Sequence, residues 1–188
     1  MYQYIITLLS GDKPGIIADI SSAISLLEGN ISEVNQTVVK GYFTIIVFAS
    51  FPRKVTEQQL SCAVCGFRPE ESKDYHINLV EYKEPRSPKN AQHERYVLTI
   101  KCNEQSGIIS EITSYLYGRG INIEDFYAYI AKGTPYMLAQ IAVPDDGVAD
   151  EIRADLEALG RKWNLTVTLS HENIYIATNT VCPTIKLV

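Results

Sequence analysis

The chain has 188 residues, 46% of them apolar and 21% charged, enough to fill one core of ordinary size or two small ones. Its formal net charge is −5, divided as 7 basic against 10 acidic residues up to Glu84 and 10 against 12 beyond it, so neither half offers the cationic surface on which nucleic-acid affinity rests. No apolar run approaches the ~20 residues of a membrane span, residues 1–6 carry no basic leader, and the four cysteines are too irregularly spaced for a disulfide framework; a cytoplasmic protein with reduced thiols is expected.

Residues 4–9 form an apolar β-type run, and behind Pro14-Gly15 the residues Ile16, Ile20, Ala23, Ile24 and Leu27 recur at helical spacing. Two β-rich runs, 31–39 and 42–50, flank Lys40-Gly41 and predict a hairpin. Thr56 is placed to cap a short helix carrying Leu60 and Val64, and Tyr75, Ile77 and Leu79 alternate along a last strand. The order is βαββαβ. Its third strand is apolar at nearly every position, whereas a half-solvated antiparallel strand alternates; both faces are therefore expected to be covered, the second by the other half of the chain or by a second chain.

The order then repeats. At a constant offset of 92, Tyr4, Thr7, Gly15, Ile16, Ile17, Ile20, Ser22, Asn30 and Ile31 meet identical residues, and Asp12, Asp19 and Glu33 meet acidic ones. The second copy predicts a strand to Lys101, a helix from Gly107, a hairpin at residues 132–135, and a helix with Val148, Ile152, Leu156, Leu159 and Trp163 on one stripe. A last strand starts at Leu165. The fold class is α+β, two ferredoxin-like modules, each a four-stranded antiparallel sheet with two helices on one face. Module one covers residues 1–84, a Pro-containing polar linker 85–94, and module two 95–172; a C-terminal extension, 173–188, holds Ile174-Tyr175-Ile176 and is expected to add an edge strand.

Each copy has a polar turn before its first helix, Ser10-Gly11-Asp12-Lys13-Pro14-Gly15 and Cys102-Asn103-Glu104-Gln105-Ser106-Gly107, and an asparagine fifteen residues past the glycine. Unpaired N–H groups at a helix N-terminus favour a carboxylate. Asp12 can hold an ammonium group, Asn30 can donate and accept, and the expectation is that Asn30 faces the turn. A plainer reading is that Pro14-Gly15 starts a helix and Asn30 ends it in a turn.

The Asp-Lys-Pro-Gly-Ile-Ile turn, the helix and the Gly-Asn-Ile start of strand two resemble the ACT domain, in both copies. Two such copies with little else resemble the glycine cleavage system transcriptional repressor family. The resemblance implies a non-catalytic, allosteric regulator that binds a small amino acid, glycine or serine first, at interfaces between modules. It implies contacts at Asp12, Lys13, Pro14, Gly15, Ile16, Asn30 and Ile31, and at Glu104, Gly107, Ile108, Asn122 and Ile123, with Ser106 replacing the usual proline. It further implies a homo-oligomer, a dimer, and a transcription-factor partner reached by protein contact. Neither a cofactor nor a metal ion is called for.

Cys62-Ala63-Val64-Cys65 leaves an alternative, a thiol redox or metal-linked sensor, although the pair lies near the end of a short helix. Lys40-Gly41-Tyr42 faintly matches an RNA-recognition motif, but Phe43 and Thr44 break the pattern and the half is acidic. The tyrosines of the second copy are read as packing. His76, His93 and His171 have no nucleophile patterned near them.

Overall fold

The computed structural model describes residues 1–70, 72–84, 93–101, 107–131, 133–144 and 148–178. The chain divides into two compact units, Met1–Arg86 and Ser87–Val188. Residues 85–92 of the expected linker lie outside the described residues, and β5 opens at His93.

Unit one runs β1 (Tyr2–Gly11), α1 (Ile16–Leu26), β2 (Asn30–Val39), β3 (Tyr42–Phe51), α2 (Glu57–Phe67) and β4 (His76–Glu81). The antiparallel strands stand in the order β2-β3-β1-β4. Lys40 (φ 52°) and Gly41 (φ 80°) both take the left-handed conformation that a two-residue hairpin turn of this twist requires. Thr56 caps α2 reciprocally: its hydroxyl accepts from Gln59 N–H at 3.2 Å, and Gln59 Oε1 accepts from Thr56 N–H at 2.9 Å.

Alternation along the strands builds the core. Tyr4, Ile6 and Leu8 of β1 and Phe43, Ile45, Val47, Ala49 and Phe51 of β3 face Ile16, Ile20, Ala23 and Ile24 of α1 and Leu60 and Val64 of α2, all buried. On the other face of β3, Tyr42 is 63% and Ile46 51% exposed, while Phe48 packs against Tyr82 with ring centroids 4.9 Å apart. β2 forms the sheet edge and is exposed at every position but Ile31.

Unit two repeats the order with β5 (His93–Lys101), α3 (Ile108–Gly118), β6 (Asn122–Ala131), β7 (Thr134–Pro144), α4 (Ala149–Trp163) and β8 (Thr166–His171), strands ordered β6-β7-β5-β8. Register shifts fall between Ile31 and Glu33 in β2 and between Ile123 and Asp125 in β6, the same offset of 92, so the repeat reaches even the bulge.

One expectation is corrected. Residues 172–178 do not add an edge strand; they form a helix, α5 (Glu172–Thr178), packed on β5 and β8. Gln140 Nε2 donates to Glu172 Oε1 at 3.0 Å and fixes its first turn to β7. The helix leaves Ile174 59% and Ile176 46% exposed, and a segment this short has no period of its own to enforce a strand. Residues 179–188 lie outside the described residues. No helix among the described residues is long and apolar enough to cross a membrane.

Candidate functional site

The turn after β1 is held at both ends. Asp12 N–H donates to the Gly41 carbonyl at 2.8 Å, which ties the turn to the β2–β3 hairpin. Gly15 then takes φ 99° and opens α1, its carbonyl accepting from Asp19 N–H at 2.9 Å. Gly107 does the same before α3, with φ 94° and a 3.0 Å bond from Glu111 N–H. Neither helix has a side-chain cap. The first-turn N–H groups of α1 and α3 therefore point out of the helix without intrahelical partners, in the field of the helix dipole.

The side chains of the predicted residues divide by role. Ile16 and Ile108 are core residues, each 1% exposed, and contribute only backbone to the turn. Asp12 and Pro14 are exposed, and the Lys13 ammonium lies 4.9 Å above the Tyr75 ring. Ile31 and Ile123 are half-buried against their cores. Glu104 lies outside the described residues.

Asn30 does not face the turn of its own module, which corrects that expectation. It pairs with Ser50, which pairs with Gln3 at the start of β1, whereas Gly11 at the other end pairs with Tyr42. The eight steps from Gln3 to Gly11 span roughly 26 Å at ~3.3 Å per strand residue. The reason is topological: α1 runs back along the sheet, so its N-terminus and the strand that follows its C-terminus lie at opposite ends. Asn122 is separated likewise, level with Ala142 and Arg95, while β5 reaches its turn at Lys101.

Three residues that sequence reasoning missed surround Gly15. Asp19, buried in the first turn of α1, accepts from Tyr75 Oη at 2.9 Å and pairs with Arg68 Nε at 3.4 Å. Arg68 Nη1 also donates to the Pro14 carbonyl at 3.3 Å. The guanidinium thus lies directly over Gly15, where an added Cβ would stand 1.7 Å from Nη1. A carboxylate beside Ile20 on the apolar stripe was the available signal, since a buried acid needs a partner.

Cys62 is exposed and Cys65 half-buried on α2, and both are free thiols. Among the described residues no three His, Cys, Asp or Glu side chains gather as a metal site. In unit two a cavity of about 540 Å³ is bordered by His93, Arg95, Glu124 and His171, with Arg95 Nε 2.8 Å from Glu124. Nearby, burial and then a hydrogen bond to Glu94 push the Tyr96 hydroxyl up from its ordinary pKa.

Comparison with known proteins gives most of the first module a family-model match. Residues 3–64 match the family model described as the ACT domain. The UPF0237 protein of Clostridium acetobutylicum is 38% identical over 63 residues, 34% of this chain and 61% of that protein. The UPF0237 protein of Corynebacterium diphtheriae is 40% identical over 53 residues, 28% of this chain and 60% of that protein. The chain thus spans about three-fifths of the curated relatives it matches. Two solved structures share the whole two-module fold. A protein of Galdieria sulphuraria aligns with TM-score 0.72 at 20% identity, covering 90% of this chain and 98% of that one. A protein provisionally assigned as a glycine cleavage system transcriptional repressor aligns with TM-score 0.61 at 14% identity, covering 90% and 96%.

Proposed function

From a first module whose residues 3–64 match the ACT domain model, and a second that repeats its fold, we propose that the chain is a non-catalytic regulator whose effector is a small free amino acid. The observation that carries this reading is the duplicated glycine-opened helix: Gly15 and Gly107 at φ 99° and 94°, neither helix capped by a side chain. A carboxylate is the group that such N-termini favour.

Because Asp12 and Asn30 lie at opposite ends of one sheet, a single module offers only half of a zwitterion site. A second copy completes it. β2 is an uncovered edge, and two β2 edges pairing antiparallel across a two-fold axis set the Asn30 end of one copy beside the Asp12 end of the other. The exposed apolar side chains of Tyr42 and Ile46 on β3 also favour a homodimer. In this arrangement the turn of one copy takes the carboxylate, Asp12 the ammonium group, and the partner's Asn30 closes the site.

The output of such a protein is a coupling free energy: the effector binds one arrangement of modules better than another and shifts their populations. Following the resemblance to the repressor family, the reshaped surface meets a transcription regulator by protein contact in the cytoplasm. Glycine and serine are the first candidates, as the resemblance to the repressor family implies. A thermal-shift screen of the twenty amino acids tests the reading, since a ligand at ~100 times its Kd adds about 2.7 kcal/mol of stability. No shift with any of them would sink it.

A further inference from the structure

The helix α2 of module one carries two thiols that its counterpart α4 lacks. Cys62 and Cys65 stand three residues apart, and at the offset of 92 their places are taken by Ala154 and Glu157. Both thiols are free, but Cys62 is exposed and Cys65 half-buried. Cys65 Sγ lies 3.9 Å from the Ser72 carbonyl oxygen, and Ser72 Oγ donates back to the Cys65 carbonyl at 3.3 Å. Ser72, only 2% exposed, also joins the two residues that hold Asp19: its N–H donates to the Arg68 carbonyl, and its own carbonyl accepts from Tyr75 N–H, each at 3.0 Å. Cys65 thus fastens the connection between α2 and β4 to the helix it leaves.

We propose that Cys62 and Cys65 form a reversible thiol–disulfide site whose oxidation loosens this connection. Three residues along a helix bring two Cα atoms to about 5 Å, inside the span that a disulfide bridges. The Cβ atoms, roughly 5–6 Å apart in a regular helix, must approach to ~4 Å, so the bridge deforms the turn between them. α2 ends at Phe67, two residues past Cys65, which confines the deformation to its last turn. The oxidant is a small-molecule disulfide. Cys62 Sγ, the accessible sulfur, attacks it as a thiolate, forms a mixed disulfide and releases one thiol. Cys65 Sγ then attacks Cys62 Sγ, closes the internal bridge and releases the second thiol. Two protein thiols are oxidised, one external disulfide is reduced, and the two protons pass to the released thiols. A strained bridge of this kind is readily reduced again, which suits a switch and not a brace. In closing, it draws Cys65 Sγ off the Ser72 carbonyl. The chemistry requires no effector.

Glutathione disulfide is the probe. The full-length protein is equilibrated in glutathione buffers of rising oxidised fraction, quenched with an alkylating reagent and digested with trypsin, which leaves both cysteines and no other in the peptide 55–68. A bridge within that peptide should form and disappear reversibly with the buffer ratio. In the bridged protein, hydrogen exchange at the Ser72 and Tyr75 amides should quicken roughly tenfold, the change expected when a local opening loses about one hydrogen bond. Cys62→Ser, an exposed change that leaves the Cys65 contact in place, should show no bridge in the peptide and no quickening in any buffer. A glutathione adduct that persists on Cys62 while Cys65 is still alkylated would overturn the site, as would bridges that run to Cys102 or Cys182 instead. A bridge that leaves both amides as slow as before would overturn its hold on the connection.

Discussion

Asp12 and Asn30, the two polar side chains of the candidate site, stand at opposite ends of the same sheet. Asp12 is tied to Gly41 at the hairpin end, and Asn30 pairs with Ser50 at the other. A ligand that needs both kinds of group must draw them from two different modules, and the proposed arrangement draws them from two copies. Asp12→Ala and Asn30→Ala should each abolish the stabilisation by the amino acid while leaving the unliganded melting temperature within a degree or two, both being exposed. In a mixed dimer carrying one change on each copy, one of the two sites keeps both residues, and the thermal shift should return. A mixed dimer as unresponsive as either parent excludes a site shared between copies.

Gly15 and Gly107 offer a paired measurement of the Arg68 contact. Alanine at either position must adopt a positive φ, at a cost of about 1–2 kcal/mol. At Gly15 the new methyl group also collides with Arg68, whereas the space beside Gly107 is open among the described residues. Gly15→Ala should therefore lose more stability in urea denaturation than Gly107→Ala. The excess should vanish in an Arg68→Ala background, the signature of a direct coupling in a double-mutant cycle.

The capping box of α2 sets a third expectation. Thr56→Ala removes the acceptor of Gln59 N–H and should cost about 1 kcal/mol, within the range for lost caps. Thr56→Ser, which keeps the oxygen, should recover most of it in the same chemical denaturation experiment. An alanine variant as stable as the parent would show that Gln59 alone sustains the helix start.

Titration should single out Tyr115. Burial, then the hydrogen bond to Asp155 at 2.8 Å, push its hydroxyl from the ordinary 10.0 up to about 12. A pKa raised on folding favours the protonated native state, so this contribution is complete below pH 10 and fades as pH rises toward 12. The same bond, with Arg119 beyond it, lowers the Asp155 pKa. That contribution is present above the ordinary carboxylate range and is lost as pH falls through the depressed value. Tyrosinate absorbance in an alkaline titration should lose its latest-ionising component in Tyr115→Phe, while the raised Tyr96 and Tyr127 remain. Its survival in the variant would assign it to another tyrosine.

Sequence patterning carried the architecture because its signals are local. The apolar period of α1, the Lys40-Gly41 turn and the Thr56 cap each act within a few residues, and the offset of 92 shows that the whole arrangement occurs twice. The C-terminal segment was misread as a strand for the same reason. Seven residues hold no decisive period, and Glu172 reaching Gln140 on β7 fixes a helix where alternation alone suggested an edge.

The site lay beyond that reach. By itself the sequence determined which residues open each helix and that two such turns exist, because glycine at positive φ and an uncapped first turn are local facts. Only the tertiary structure decided where the other residues stand. Chain reversal through α1 carried Asn30 to the far end of the sheet, and burial of Asp19 drew Arg68, 49 positions further along the chain, onto Gly15. Spacing along a chain fixes distance only while the chain keeps one direction, and a buried charge selects its partner by what the fold brings within reach.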